Sequence, residues 1–325
     1  MRLPFHICLL IFLLLAFSTR ADSGGNHEPR IAGTQKFIYK QVDGFDLPVF
    51  VFTPETEASH KRRGAVVFFH GSGWMAGSVR QFETQARLLS DHGLVAVLAE
   101  YRVKEGYNAT PFDGIRDAKS VIRWLRTNAD RFNVDPDRIA AAGASAGGHI
   151  ALAASIFKER FNDELEDMSA TAIPDALILF STVVDTTSDG YNDEEGLSLF
   201  MGEGKKYSPA RNLKKDMPPV IIMHGTADEW IPYASIERFA KDMRALGNAC
   251  ELIPFLDRGH HFYNSAAYLA QRPHLRTQTS RMDFVMSFYL MERFLFNQGI
   301  LESRPAIMSL DSAERIPEIR GSRRE

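Results

Sequence analysis

Arg138-Ile139-Ala140-Ala141-Ala142-Gly143-Ala144-Ser145-Ala146-Gly147-Gly148 is the stretch that decides the fold of this chain. A short apolar run reads as a buried strand, small residues crowd one serine, and helical spacing follows from His149 to Phe157. In that strand, turn and helix order, Gly143-Ala144-Ser145-Ala146-Gly147 has the form of a nucleophile elbow. The turn is so tight that Ser145 must take a strained backbone, and side chains at Gly143 and Gly147 would strike the neighbouring strand and helix. The strain leaves the hydroxyl at a helix N-terminus, where partial positive charge favours a developing anion. Gly, Ala and Ser also gather in plain close packing, so the reading depends on the elements either side.

Those elements alternate. Phe37 to Tyr39 and Val49 to Phe52 read as two opening strands, and Ala65 to Phe69 is a continuously apolar run that fits a strand covered on both faces. Gln81 to Asp91 has helical spacing and stops near Gly93; Leu94 to Ala99 is another buried strand. Ile115, Ala118, Ile122 and Leu125 share one face of a helix running to Asn128, and Asp135-Pro136-Asp137 turns the chain into the elbow strand. Strands at Ala176 to Phe180, Val220 to Met223 and Cys250 to Phe255 follow, with helices at Tyr233 to Leu246 and Met282 to Gln298. The polar stretch Asp185 to Arg211 has no clear periodicity. Such alternation predicts an α/β fold, a mostly parallel sheet with helices on both faces and a small or absent cap.

The 325 residues are 45% hydrophobic and 24% charged, enough for one large core. A net charge of −3, with no Lys/Arg cluster interleaved with aromatics, argues against a nucleic-acid partner. Residues 1–21 read as a signal peptide: Arg2 and His6 open it, Ile7 to Phe17 is apolar, and Ser18-Thr19-Arg20-Ala21 offers a cleavage site. The apolar run is short for a membrane span, so stable membrane insertion is not expected. Cleavage would leave Cys250 as the single cysteine, and export without disulfides points to a bacterial route. The expected organisation is a linker over 22–36, one domain over 37–300 and a charged tail over 301–325.

A serine hydroxyl needs a base, and the base needs an orienting acid. On this fold they follow in the order Ser, Asp, His. Asp228 ends His224-Gly225-Thr226-Ala227-Asp228 after one late strand, and Arg258-Gly259-His260-His261-Phe262 follows the next. Asp185 is a second candidate acid, and the residues alone leave His260 and His261 open as the base. His149 and His70 have structural explanations, one packed on the elbow helix and the other hydrogen-bonding its own turn. The glycine-rich turn Gly71-Ser72-Gly73 can turn two backbone N–H groups toward one point as an oxyanion hole, with the N–H of Ala146 completing it. Trp74 is expected to pack beneath this loop, and Arg102 to pair with Asp117. No cluster has metal-ligand spacing, so no metal or organic cofactor is expected.

These motifs together resemble the α/β-hydrolase superfamily, in its esterase/lipase group related to hormone-sensitive lipase and to bacterial acetyl and feruloyl carbohydrate esterases. The oxyanion signature appears as His70-Gly71-Ser72-Gly73-Trp74, the Tyr-Arg pair as Tyr101-Arg102, and the histidine signature as Gly259-His260-His261-Phe262. The likeness spans about residues 37 to 300, selects His260 as the base and implies that Ser72 and Gly73 supply the two loop N–H groups of the oxyanion hole. Ser72 and His261 each replace a glycine of the family pattern. The resemblance implies a serine carboxylesterase acting through an acyl-enzyme on short-chain esters, acetyl above all, carried by small molecules or carbohydrate. Its rivals are a prolyl-oligopeptidase-like peptidase, which lacks the His-Gly-x-Gly-Trp loop, and a non-catalytic binding protein, which typically lacks part of the triad.

Overall fold

The computed structural model describes residues 31–55, 61–71, 73–163, 166–272 and 280–305. The expected signal peptide, Ser72 and positions 306–325 therefore lie outside the described residues. The strands are β1 (Gln35–Val42), β2 (Phe45–Phe52), β3 (Arg63–Phe69), β4 (Val95–Ala99), β5 (Val134–Ala144), β6 (Ala176–Phe180), β7 (Val220–Gly225) and β8 (Cys250–Phe255). The helices are α1 (Glu83–Asp91), the single turn α2 (Lys104–Tyr107), α3 (Pro111–Thr127), α4 (Ala146–Ile156), α5 (Glu194–Ser198), α6 (Tyr233–Ala245), α7 (Ala266–Ala270) and α8 (Arg281–Asn297).

All eight strands form one sheet in the order β1-β2-β4-β3-β5-β6-β7-β8. β2 pairs antiparallel with β1 and β4, and every pairing from β4 to β8 is parallel. Parallel strands must be covered on both faces, and the run Ala65 to Phe69 is accordingly buried throughout. Alternate residues divide between two cores. Val67, Phe69 and Ala141 face α3 and α4 in one, while Val66, Phe68 and Ala142 join α1 and α8 in the other.

The helix starts follow capping chemistry. Thr110 and Asp113 cap α3 reciprocally with Pro111 at its first position, and Ser280 and Asp283 do the same for α8. Ile115, Ala118, Ile122 and Leu125 are all fully buried on the predicted face. The Arg102 guanidinium grips Asp117 with two bonds of 2.9 Å, bracing the loop after β4 against α3.

Three details differ from the sequence expectation. Asp135-Pro136-Asp137 lies inside β5, where the pairing with β3 shifts register, so the turn is a bulge rather than an entry. Ile31, inside the expected linker, is already packed into the core. The stretch from Asp185 to Arg211 holds α5 and one 3-10 turn, and its order comes from packing that no period reveals. Its Tyr191 and Phe200 close edge-on against Trp74 at 5.5 and 5.0 Å.

The elbow sits where β5 hands the chain to α4. An added Cβ at Gly147 would collide with the carbonyl oxygens of Phe69 and His70, and one at Gly143 with the Gly147 backbone. Gly147→Ala should therefore overpack this crossing by about 1–3 kcal/mol. Thermal unfolding followed by circular dichroism should show a melting temperature lower by roughly 2–10 °C, and an unchanged value would contradict the close approach.

Candidate active site

Ser145 is the N-cap of α4 and holds φ 51°, ψ −120°. A serine stays in that region only when its surroundings dictate it. They do so here: Ser145 N–H donates to Phe180 O at 3.0 Å, and Ser145 O accepts from His149 N–H at 3.0 Å. Ala146 opens α4, so its N–H has no acceptor within the helix and remains available to an anion. The loop after β3 lies against the elbow, since a Cβ built on Gly71 would sit 3.2 Å from Ser145 Cβ. Gly73 follows with φ 61°, a left-handed backbone suited to glycine.

The candidate acid and base are carried by neighbouring strands to the same sheet edge. Asp228 lies in the loop after β7 and His260 in the loop after β8, and Thr226 N–H to Phe255 O joins the two loops at 2.9 Å. His260 Nδ1 donates to Asp228 Oδ2 at 2.8 Å, with both side chains buried. Asp228 Oδ1 accepts from the N–H groups of Trp230 and Ile231, each at 3.0 Å. Burial by itself raises the Asp228 carboxyl, but the hydrogen bond and charge of His260, aided by His224, hold it below the usual carboxylate range. An ionised Asp228 fixes the Nδ1–H tautomer of His260 and leaves Nε2 as the basic nitrogen.

The paired alternatives are placed differently. Asp185 Oδ1 accepts from Thr187 Oγ1 and Ser208 Oγ, both at 3.0 Å, and braces the segment after β6 instead. His261 packs its ring against His260 at 5.0 Å and lies beside Asn264. Ser145 and Ala146 stand on the elbow at the sheet edge to which Asp228 and His260 are brought, with Gly73 in the loop alongside.

Four contributors have no distinctive sequence signal. Gln81 is buried; its Oε1 accepts Gly71 N–H at 2.6 Å while its Nε2 donates to Tyr263 Oη and Asn264 Oδ1 at 3.1 Å each. One amide therefore ties the glycine-rich loop to the His260 loop. His224, fully buried on β7, stands 3.0 Å by Nε2 from Ile231 O and 3.3 Å from Asp228 Oδ2, closing the acid loop on itself. Asn192 reaches across from the segment after β6 to Trp230 O and Glu229 O. Trp230 stacks on His260 with ring centroids 5.4 Å apart and planes 17° from parallel. Each is a common polar or aromatic type whose partners are distant in sequence.

The His70 ring lies flat on Tyr101, centroids 4.4 Å apart, and it also interacts with the Gly71 backbone of its own turn. His149 is equally buried, edge-on to Trp74 at 5.1 Å. Burial lowers both imidazoles, His70 to about 4 and His149 to about 3. Among the described residues no group of His, Cys, Asp and Glu could hold a metal ion, and no helix is long and apolar enough to cross a membrane.

The chain is similar to known proteins in sequence and fold. The BD-FAE family model matches residues 51–243. The structure of esterase 2 from Thermogutta terrifontis phosphoramylated by tabun superposes with a TM-score of 0.75 at 35% identity, covering 85% of this chain and 98% of that one. The same esterase with propionate bound gives a TM-score of 0.73 at 36% identity, with 85% and 98% covered. Esterase LipC of Mycobacterium tuberculosis is 27% identical over 210 residues, 57% of this chain and 49% of LipC. An arylesterase of Saccharolobus solfataricus is 30% identical over 117 residues, 36% of this chain and 37% of that protein. The chain thus spans half or less of these two curated relatives.

The buried histidines generate a pH prediction. At a pH below 6.5 the unfolded chain protonates its histidines, while folded His149 stays neutral until about pH 3, so its contribution to stability is lost as pH falls from 6.5. His149→Phe removes that contribution. In urea unfolding at about pH 7 and about pH 4.5, the wild-type stability difference should exceed the variant's by roughly 2–3 kcal/mol, at about 1.4 kcal/mol per pH unit. Equal differences would mean that His149 is not held neutral.

Proposed function

Because the chain belongs to the BD-FAE family and has the α/β-hydrolase fold, we propose that it is a carboxylesterase that cleaves short-chain esters through Ser145, His260 and Asp228. The observation that carries the proposal is the buried 2.8 Å bond from His260 to ionised Asp228, at the sheet edge where Ser145 is held in a strained turn.

In this mechanism His260 Nε2 takes the Ser145 proton as Oγ attacks the ester carbonyl. The oxyanion receives hydrogen bonds from the N–H groups of Ser72, Gly73 and Ala146. Asp228 offsets the charge of the imidazolium, which then gives its proton to the departing alcohol oxygen. Water, activated by His260, attacks the Ser145 acyl-enzyme, and collapse releases the acid and the free serine. Every proton taken by His260 is returned, so no co-reactant besides water is needed.

Short acyl groups, acetyl foremost, are the proposed substrates. The Thermogutta esterase has been seen with propionate and with butyrate bound. In this chain Tyr191 occupies the space beside Gly73, where an added Cβ would lie 3.3 Å from its Oη. Carbohydrate is the proposed carrier of the ester, and export by residues 1–21 would deliver the enzyme to polymeric substrates outside the cell. Mass spectrometry of the protein expressed in a bacterium should give a mature N-terminus at Asp22; retention of Met1 would refute cleavage.

Hydrolysis of p-nitrophenyl acetate, butyrate and octanoate tests the chemistry. Acetate should be fastest, and Ser145→Ala and His260→Ala should each cost roughly 10³-fold or more in kcat. Asp228→Asn should lose about 10⁴-fold by presenting His260 in the wrong tautomer, with Asp185→Asn within about threefold of wild type. Paraoxon should add a diethylphosphoryl mass to Ser145 in wild type and in Asp185→Asn, and none in Ser145→Ala. A folded wild type inert toward all three esters would end the esterase proposal.

A further inference from the structure

The C-terminal end of α4, opposite Ser145, borders a cavity of about 300 Å³, at the lower limit of small-ligand pockets. Its polar lining is mostly cationic. Lys158 and Arg160 follow α4, while Lys206 and Lys214 come from the chain between β6 and β7. Glu159 is the single carboxylate in that lining. A chain of net charge −3 thus collects four cations around one small space. The length of α4 separates this space from the elbow by about 16 Å, so it is no part of the active site.

Like charges so placed repel one another, and long side chains on loose backbone would spread apart. Here the backbone of both walls is pinned. The buried Lys119 ammonium, from α3, donates to the carbonyl oxygens of Phe157, Lys158 and Arg160 at 2.9, 2.9 and 2.6 Å. Asn212 Nδ2 does the same for the facing wall, donating to Lys206 O at 2.9 Å and Ser208 O at 2.8 Å. Tyr207 stands between the walls, its ring edge-on to Phe112, Phe157 and Phe161. The Arg160 guanidinium and Lys206 ammonium lie 5.9 and 4.9 Å from the centre of that ring. Glu203 pairs with Lys206 at 2.6 Å, but among the described residues Lys158, Arg160 and Lys214 make no ion pair. One phenol ring is weak compensation for such a cluster.

An anion that neutralises the cluster has to reach cations on two walls. A carboxylate presents two oxygens in one plane with a single charge. A phosphoryl group presents three acceptor oxygens in a tetrahedral array and carries nearly two charges. Arg160 suits it as a planar fork of donors, and the lysines as point charges.

We propose that this cavity is a second site, which binds a dianionic phosphoryl group carried by a soluble phosphate ester or by a lipid headgroup. The site does not depend on the esterase function, and it stands or falls whether or not Ser145 cleaves esters.

Isothermal titration calorimetry of the full chain with glycerol phosphate tests the soluble source. Co-sedimentation with phosphatidylcholine vesicles, with and without phosphatidic acid, tests the lipid source, because the two probes share one headgroup. Binding should weaken with added sodium chloride. Arg160→Ala and Lys158→Ala should each weaken it about tenfold or more, with Arg160→Lys weakened less. Lys214→Ala, at an exposed position, gives an independent check, and unchanged melting temperatures would show that the variants are folded.

Binding of glycerol phosphate would assign the site to soluble esters, and binding of phosphatidic acid vesicles alone would assign it to lipid. Binding of neither would overturn the proposal, as would binding that Arg160→Ala and Lys158→Ala leave unchanged. Tricarballylate, a carboxylate anion of comparable charge, should bind at least tenfold more weakly than the phosphoryl probe. Equal affinity would overturn the phosphoryl assignment.

Discussion

The crossing of β5 and α4 over the end of β3 is the constraint on which the site depends. Gly143, Gly147 and Gly148 bring backbone so close to Phe69, His70 and Thr182 that side chains have no room there. That contact fixes the direction of α4, and with it the strained conformation of Ser145 and the free N–H of Ala146. The strain of a serine at positive φ costs on the order of 1–3 kcal/mol. Full burial of Phe69, Ala141 and Ile150 around the crossing offsets that cost at about 0.8 kcal/mol per buried methylene.

The crossing alone positions a serine and little else; the other groups are carried by loops, which have to be held. Gln81 links the glycine-rich loop to the loop of His260. Arg258, two residues before His260, pairs at 2.7 Å with Asp283, the capping residue of α8. His224 and Asn192 clamp the loop of Asp228 from inside the sheet and from the segment after β6. The bonds of Gln81, Arg258 and His224 are buried or half-buried, where an unmade bond leaves a polar group stranded at about 1–3 kcal/mol. The loops therefore have one favoured arrangement, and it is the one in which Asp228 faces His260.

The segment from Asp185 to Arg211 illustrates how much such packing decides. It has no helical or strand period, yet Tyr191 and Phe200 are buried against Trp74. Asp185, a plausible acid by position, is drawn away by Thr187 and Ser208.

Local chemistry made much of this protein legible in its sequence. The strand and helix periods, the capping residues and the small-residue elbow are short-range patterns, so the parallel sheet, Ser145, and the positions of Asp228 and His260 after late strands could be read directly. The sequence alone could not separate His260 from His261, since adjacent residues differ only in which side chain the loop turns inward. Nor could it identify Gln81, His224, Asn192 or Trp230, because a polar or aromatic residue acquires such a role only from partners distant in the chain. Nor could it show that the His70 ring lies on Tyr101, from another strand end. Sequence determined the elements and the order of the reactive groups, because these depend on period and backbone sterics. The pairing, orientation and support of those groups were decided by the tertiary structure, which alone brings distant donors and acceptors within 3 Å of one another.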